Sequence, residues 1–530
     1  MKKRIMALLL IMIMALSLVA CGGNNAGGNT ADKGSSNSSA DKGSADKGSS
    51  DKKDDGAAKR DDVNIYCEGV WTTLDPYGQG AGTYVNTYIR NQAYETLVTV
   101  ADDGSVQPCL AKEWSVSDDG LTYSFVLEEG VKFHNGEELK ASDVAYSYTR
   151  ALDGVGVATY VSSIESVTAT GDYTVEVKLK SVYAPMLANF AYIDIVNEKF
   201  ATENELNVLE CGTGPYVLKD IDLNLECNME AFPDYRRGEA SIKKVKFKVI
   251  TEATTAAVAF ESGELDFFFC YNTSAFAPLK ESGKYNTALV AQQHTAVIHL
   301  NNGVEPLNNP LVRKALAHAT DRETMIAIAY DGMAAPTYLM ANPTSFGVAE
   351  DLFYNHYEYD LEKAKALLTE AGYPNGLDLG DMTVIGGSYH EKYAQVWQQS
   401  LAQIGVTINL VSSESAVADC TNHEYITATM GNGFSSDFGY AGVEYYSSHT
   451  SNMMDYKNDE VTAILDEALS LTDSAKREEL YREAIEMIFE DCPNIPIFNK
   501  QVPWVWDKNL NAYPRGDGAH VYYVYDMSWN

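Results

Sequence analysis

The chain has 530 residues with 74 acidic against 40 basic side chains, so its formal net charge is −34. The length allows two or three domains with sizeable cores. The charge excludes nucleic acid as a partner, because phosphate binding requires a basic surface. Residues 61–530 keep 30 basic and 68 acidic side chains. We interpret this excess as a means of staying soluble and off anionic lipid, and a preference for cationic ligands is the alternative.

The first 20 residues have the pattern of a secretory signal peptide. Three basic residues at positions 2–4 precede an apolar run that ends at Ala20 and is shorter than the roughly 20 residues of a spanning helix. Cys21 follows directly and resembles the lipobox of bacterial lipoproteins, in which this cysteine is the mature N-terminus and carries acyl chains. The resemblance implies a lipid-anchored protein on the extracellular face of the cell membrane. An ordinary signal peptide with a chance cysteine is the alternative.

The segment after Cys21 is predicted to be a tether. Residues 22–60 lack large apolar side chains and repeat Ala-Asp-Lys-Gly-Ser from Ala31, Ala40 and Ala45. Such a segment cannot bury enough surface to offset its ordering entropy, so we expect a flexible coil with a mean reach of about 35 Å. A mucin-like interaction tail is the alternative.

Strand signals dominate the next part of the chain. Residues 121–127, 173–179 and 243–250 are rich in β-formers, and the last of these segments alternates charged with apolar residues. That alternation predicts a sheet with one solvated face.

Helix signals gather in the second half. Asn309 is predicted to cap a helix that Pro310 opens, Asp360 caps another, and a helical pair is predicted over 459–489. Strand segments such as 405–411 alternate with these helices, which indicates an α/β fold class. Open α/β lobes bind ligands where strand ends meet a crevice, often between domains.

The sequence carries no catalytic or cofactor signature. GxSxG, HExxH, Walker and GxGxxG motifs are absent, as is any Cys/His spacing of a zinc site, so we predict no enzyme activity, no metal and no cofactor. A secreted hydrolase is the rival class, since paired carboxylates are recognised only by geometry. Seven cysteines besides Cys21 are expected to be buried reduced thiols, and Cys211 with Cys227 is the disulfide pair to test first.

A series of short motifs follows in a fixed order from about residue 70 to the end. They are Leu74-Asp75-Pro76, residues 94–98, 108–114, 119–136, 141–144, Gly212-Thr213-Gly214-Pro215-Tyr216, 263–266, 312–316, 360–372 and Ile495-Pro496-Ile497. Their identity and order resemble the bacterial extracellular solute-binding proteins of family 5, the oligopeptide- and dipeptide-binding components of ABC importers.

The resemblance implies a fold and its division. We expect an α/β, two-lobed, periplasmic-binding-protein-like clamp of class II, cluster C type, with an extra subdomain inserted in the first lobe. The predicted ranges are 61–93, 199–297 and 496–530 for lobe 1, 94–198 for the inserted subdomain and 298–495 for lobe 2. The hinges are expected near 300–302 and 494–496.

The resemblance also implies one ligand-binding residue. In peptide-binding members an aspartate after a W-x-x-D run pairs with the α-ammonium of the ligand, and Asp437 stands at the matching place. The segment departs from the pattern, because Phe434 replaces the tryptophan, residues 439–442 replace an acidic-proline pair, and no arginine is nearby. A solvated loop carboxylate is the alternative role for Asp437.

Aromatic and small residues around Asp437 are expected to line the cleft, with core packing as the alternative for each aromatic. The expected lining residues are Phe434, Ser435, Phe438, Tyr440, Tyr445, Tyr446 and Tyr94.

The expected function is that of a monomeric, membrane-anchored receptor. It would capture a peptide and deliver it to ABC transporter permease subunits without performing a reaction. Members of the family also take nickel chelates, haem, opines and oligosaccharides, and these ligands remain alternatives, as does a role as a ligand sensor or chaperone.

Overall fold

The computed structural model describes residues 60–530, except 82, 102–103, 205–210, 271–272, 342–344, 354–355, 387–388, 434–436 and 516–521. The predicted signal peptide, Cys21 and nearly all of the tether therefore lie outside the described residues. The described residues form one compact unit.

The strands of the described residues are numbered β1 to β19 in chain order. They are β1 Asp62–Cys67, β2 Val98–Val100, β3 Val106–Pro108, β4 Ala111–Val116, β5 Thr122–Leu127, β6 Ile164–Gly171, β7 Thr174–Leu179, β8 Tyr216–Asp222, β9 Glu226–Ala231, β10 Lys244–Val249, β11 Phe267–Phe269, β12 Tyr285–Leu300, β13 Ala334–Pro336, β14 Leu377–Ile385, β15 Val406–Ser413, β16 Thr427–Gly433, β17 Asn494–Asp507, β18 Leu510–Asn511 and β19 Ser528–Trp529.

The α-helices alternate with these strands, most densely in the second half. They are Tyr84–Ala93, Ala141–Asp153, Ala158–Val161, Met186–Asn189, Glu198–Asn204, Ala253–Glu261, Thr273–Glu281, Pro310–His318, Arg322–Tyr330, Leu361–Glu370, Tyr389–Ala402, Ala416–Thr421, Phe438–Gly442, Asp459–Leu469 and Ser474–Asp491, with short 3-10 helices at Phe190–Tyr192, Glu350–Phe353, Val443–Tyr445 and Val524–Asp526.

One large sheet runs through the molecule in the order β15-β14-β16-β12-β17-β11-β1-β10-β9-β8, and β13 pairs with β17 beside it. Strands β1 and β10 are parallel, as are β14 with both β15 and β16. A separate four-stranded sheet, in the order β4-β5-β7-β6, lies within the segment predicted as the inserted subdomain.

The two long strands β12 and β17 cross from one half of the sheet to the other. They pair antiparallel from Tyr285 opposite Asp507 to His299 opposite Asn494, with a register shift between Ala291 and Thr295. At one end β17 pairs with β11, and at the other end β12 pairs with β16. The long pair therefore connects the two halves.

Each half has its own hydrophobic core. Along β17, Val502 and Trp504 belong to the first core, whereas Phe498 belongs to the second, and along β12 Ala296 already belongs to the second. A third cluster lies beside the second core and includes Phe438 and Tyr481. Along both strands, the change from the first core to the second therefore lies at the register shift. The predicted lobe boundaries are 297/298 and 495/496, so the observed change lies a few residues inside predicted lobe 1. The predicted domain ranges remain predictions.

The helix caps predicted from sequence are confirmed. The side chain of Asn309 accepts from the backbone N–H of Leu311, and that of Asp360 accepts from Lys363. The helical pair predicted over 459–489 is present as Asp459–Leu469 and Ser474–Asp491. The alternation of strands and helices confirms the α/β class.

The structure has no disulfide at the cysteines expected to be reduced. All seven between Cys67 and Cys492 lack a disulfide, and six of them are buried. Cys211 and Cys227, the pair chosen for testing, are both buried free thiols in this structure.

Two of the sequence motifs meet in space. The N–H of Gly212 donates to Nδ1 of His134, so the other ring nitrogen carries the proton and donates to the carbonyl of Gly214, 2.9 Å away. A Cβ on Gly212 would lie 1.9 Å from the carbonyl oxygen of Ala93. Glycine is therefore required for the loop to pack against the end of helix Tyr84–Ala93.

Candidate functional site

Asp437 stands at the start of helix Phe438–Gly442 and is only 5% exposed. Its carboxylate accepts hydrogen bonds from Nη2 of Arg477 at 2.5 Å, from Oη of Tyr481 at 3.0 Å and from the N–H of Gly439 at 2.8 Å. A buried carboxylate is stable only when it is paired and hydrogen-bonded. The resemblance predicts that this carboxylate pairs with the ammonium group of a ligand. In the structure it instead forms an ion pair with an arginine of the same chain.

Arg477 comes from the long helix Ser474–Asp491, 40 positions further along the chain. Burial lowers its pKa, but Asp437 and Tyr481 outweigh that effect, and the net pKa is raised. The guanidinium also lies over the ring of Phe346, 4.6 Å from its centroid. The sequence showed no arginine near Asp437, and the fold supplies one. A role of Asp437 toward a ligand remains a prediction, in competition with Arg477.

The aromatic residues predicted to line a cleft have different positions. Phe438 is fully buried, and its ring meets that of Tyr481 edge-on at 5.5 Å. Tyr445 is fully buried and accepts from the side chain of Asn494, while Tyr94 is 4% exposed in the first core. In this conformation all three pack as core residues, and their contact with a ligand remains a prediction.

The structure describes the remaining predicted lining residues only in part. Phe434 and Ser435 lie outside the described residues. The backbone of Tyr440 belongs to helix Phe438–Gly442, while its side chain is outside the described part. Tyr446 is partly exposed, and its hydroxyl has no hydrogen-bond partner among the described residues.

The inserted segment touches the second half of the molecule directly. The N–H of Ala184 donates to the carbonyl of Leu469 at 3.0 Å. A Cβ on Gly120 would lie 3.3 Å from the methyl group of Thr472, so the loop before β5 packs there as well. The two halves therefore meet both along the crossing strands and at this second contact.

Glu68 follows β1 at the carboxyl end of a parallel strand pair. One carboxylate oxygen accepts from Oη of Tyr88 at 3.0 Å, and the other is buried without a partner among the described residues. Burial raises the pKa of Glu68 to about 7. A carboxylate in this position can receive a cationic group of a ligand, because charge pairing would recover the cost of its burial.

Lys500 lies on β17, between the residues that belong to the second hydrophobic core and those that belong to the first. Its ammonium is 3.9 Å from the ring centroid of Tyr389, and burial lowers its pKa to about 7. The neighbouring His294 on β12 and His390 are kept neutral mainly by burial, and the charge of Lys500 adds to this effect, so their pKa values are lowered to about 3. Lys500 and Glu68 are largely buried ionisable groups without an ion pair among the described residues.

Neither Glu68 nor Lys500 was singled out from the sequence, although a signal was present for each. Glu68 directly follows the buried end of β1, and Lys500 interrupts a strand that is otherwise almost wholly buried from Asn494 to Val505. An isolated charge within a buried strand is a stronger pointer to function than one more carboxylate among 74.

The described residues offer neither a membrane-spanning helix nor a metal-binding cluster. None of their helices combines the length and apolar character needed to cross a membrane. In the same part of the chain, no group of three or more His, Cys, Asp or Glu side chains is arranged to hold a metal ion.

Known proteins with a similar sequence and fold indicate the family of this chain. The family model of bacterial extracellular solute-binding proteins, family 5 (middle), matches residues 105–454. Haem-binding protein A of Haemophilus influenzae is 30% identical over 447 residues, which cover 77% of this chain and 81% of that protein. The glutathione-binding protein GsiB of Salmonella typhimurium is 27% identical over 475 residues, covering 85% and 91%. The solved structure of HbpA2 from Haemophilus parasuis superposes with a TM-score of 0.81 at 27% identity, covering 88% of this chain and all of the other.

The fold and these similarities define a two-lobed solute-binding clamp. The chain belongs to family 5 of the bacterial extracellular solute-binding proteins, the substrate-binding components of ABC importers. The predicted family and fold class are thereby confirmed.

Proposed function

We propose that the protein is a membrane-anchored extracellular receptor that captures oligopeptides or dipeptides between its lobes and delivers them to the permease of an ABC importer. The observation that carries the proposal is the pair of crossing strands, β12 and β17, which joins two separate cores at a register shift. A change in backbone angles at this shift moves one lobe relative to the other while each core stays intact.

Such a clamp works by differential affinity. A ligand that touches both lobes binds the closed state better than the open state, and it shifts the population only by that difference. The permease can then distinguish a loaded receptor from an empty one by the distance between the lobes. The binding protein needs no chemical reaction for this role, which agrees with the solute-binding function of its relatives.

A peptide ligand is supported by the similarity to a glutathione-binding protein, since glutathione is itself a small peptide with free amino and carboxyl groups. Glu68 and Lys500 offer buried groups of opposite charge for such ends. The similarity to a haem-binding protein supports the second candidate, a non-peptide solute.

The membrane location belongs to the same proposal. We expect acylation of Cys21, a tether over residues 22–60 and action as a monomer on the extracellular face. The lipobox-like sequence and the repeats that follow it support this location.

Native mass spectrometry of protein purified without refolding tests the ligand class. We expect a retained mass that fragments as a peptide. Thermal unfolding with tri-alanine, a pentapeptide mixture, glutathione, haem and a nickel chelate provides the second measurement. Stabilisation by peptides supports the proposal, because a ligand that binds only the folded state raises the melting temperature. Stabilisation by haem or the chelate alone would overturn the peptide assignment in favour of the second candidate.

A further inference from the structure

Four elements bring one cation and several polar rings together at the crossing strands. The ammonium of Lys500 on β17 lies over the ring of Tyr389. A second ring, that of Tyr330, has its centroid 6.0 Å from the same ammonium. The ring of Tyr389 stacks on His390 with 4.1 Å between centroids. On β16, a Cβ at Gly431 would lie 2.4 Å from the ring of His294 and 3.1 Å from Oη of Tyr389. Gly431 therefore adjoins both polar groups and leaves the space between them free of a side chain.

Lys500 has no acidic counter-ion in the described part of the chain. No ion pair to it exists among the described residues, although the protein carries a large excess of carboxylates. Glu391, on the same helix as Tyr389, forms no ion pair with Lys500 within the described residues, and its carboxylate lies 3.7 Å from the Cβ position of Gly386, next to the end of β14. The groups that face Lys500 are thus His294, His390 and the two tyrosine rings, and none of them is negative.

The same cluster holds two buried polar atoms without partners. Nδ1 of His294 and Oη of Tyr389 make no hydrogen bond to any described residue. An unmade hydrogen bond in a buried position costs free energy, and so does a desolvated ammonium without a counter-ion. A buried polar atom without a partner calls for an explanation in a native structure, and a bound ligand supplies one where such atoms surround an unpaired charge.

The local backbone favours an anion as well. Tyr389 opens a 14-residue helix that follows the carboxyl end of β14. The N-terminus of a helix attracts negative charge, and the carboxyl ends of parallel strands are where open α/β sheets bind ligands.

We propose that Lys500, His294 and Tyr389 bind a carboxylate group of the transported solute. The proposal rests on the function proposed above, and it deepens that function by assigning the acidic end of the ligand to the hinge. One ammonium with two neutral hydrogen-bonding groups matches a singly charged carboxylate better than a doubly charged phosphate. The two contacting strands, β12 and β17, both carry residues of the site, so a bound carboxylate joins them where the lobes meet.

Calorimetry with tri-alanine and with its C-terminal amide tests the inference. We expect Lys500→Met to weaken tri-alanine binding by about 30-fold or more, as when one partner of a buried charge pair is removed. The amide should bind the wild type weakly and lose little more in the variant. Lys500→Arg should recover part of the affinity, and Lys392→Met, at an exposed position of the adjoining helix, should change nothing. Equal losses for tri-alanine and its amide would overturn the assignment.

A second measurement remains decisive if no peptide binds. In protein labelled at the lysine Cε, the Lys500 resonance is assigned by its loss in Lys500→Met. We expect it to titrate near pH 7 in the free protein and at higher pH with glutathione, succinate or citrate present. A Lys500 resonance that none of these carboxylates moves would overturn the carboxylate site and leave peptide binding through other contacts possible. Movement with succinate or citrate but no peptide binding would support the site and contradict the peptide proposal.

Discussion

Ala184 and Leu469 join the inserted segment to lobe 2 through a backbone hydrogen bond of 3.0 Å. Thr295 and Asn499 join the crossing strands at the register shift, where the threonine hydroxyl donates to the amide oxygen at 2.5 Å. We expect the first contact to break when the clamp opens, because its partners belong to different predicted lobes. The second lies within the strand pair about which the lobes move, so it persists.

Thr472→Trp tests closure at the first of these contacts. Thr472 is exposed and its methyl group packs beside Gly120, so we expect a large ring at this position to hinder the contact between the two halves. We expect ligand affinity to fall by about tenfold or more, since a closed state raised by ~1.4 kcal/mol costs a decade in affinity. Small-angle scattering should show the radius of gyration decreasing with ligand in the wild type and much less in the variant.

The control for this measurement is Thr421→Trp, at an exposed helix end of lobe 2. It should bind and close as the wild type does. An unchanged radius of gyration in wild-type protein saturated with ligand would contradict a closing clamp altogether.

Stability should depend on pH through His299. Both ring nitrogens are fully buried without a hydrogen-bond partner among the described residues, and burial lowers the pKa to about 4. The unfolded state, with an ordinary histidine pKa near 6.5, therefore binds more protons between those two values, and stability falls as the pH drops through that window. His299→Leu should remove up to about 3 kcal/mol of this loss. Denaturant unfolding between pH 7 and pH 4 measures the change.

His449→Gln is the matched control, because His449 is exposed. It should leave the pH dependence of the unfolding free energy as in the wild type. Equal pH dependence in His299→Leu and wild type would show that another group titrates in this window, for which the buried neutral His294 and His390 are the next candidates.

The sequence predicted the helix caps correctly, because a cap depends on residues that are close together in the chain. The caps at Asn309 and Asp360 depend on side chains two or three residues from the amides they bind, and both were identified. The partner of Asp437 could not be identified in this way. Arg477 reaches it from a helix 40 positions away, and only the packing of that helix against Phe346 and Tyr481 brings the two charges together. The same holds for Lys500 and His294, which are some 200 residues apart in the chain and come near each other on the paired strands β17 and β12.

Cys21→Ser should release the protein from the membrane. The variant cannot be acylated at the lipobox-like position, so it should move from the detergent phase to the aqueous phase in a phase-partition experiment. Purified variant should bind ligand as the wild type does, because Cys21 precedes the compact unit that the described residues form. Continued partition of the variant into detergent would show that acylation of Cys21 is not the anchor.

Asp437→Ala is expected to destabilise the fold before it affects the ligand. The substitution leaves the guanidinium of Arg477 buried without its carboxylate, which typically costs 3–5 kcal/mol of unfolding free energy. Asp437→Ala combined with Arg477→Leu should cost less than the two single losses together, because the double variant leaves no unpaired charge. Denaturant unfolding of the four proteins measures the coupling.

The same residue decides whether the family assignment of an ammonium site carries over to this chain. A peptide that stabilises the wild type is compared with its N-acetyl derivative by calorimetry, in wild type and in Asp437→Asn, which preserves the size of the side chain. Because Arg477, Tyr481 and Gly439 already bind the carboxylate, we expect the losses from acetylation and from substitution to be independent and additive. If acetylation instead weakens wild-type binding by about 30-fold or more and leaves the variant unaffected, Asp437 meets the amino end of the ligand directly. Arg477 would then have to leave the carboxylate when the peptide enters, because the position of its Nη2 atom is the one the ammonium would need.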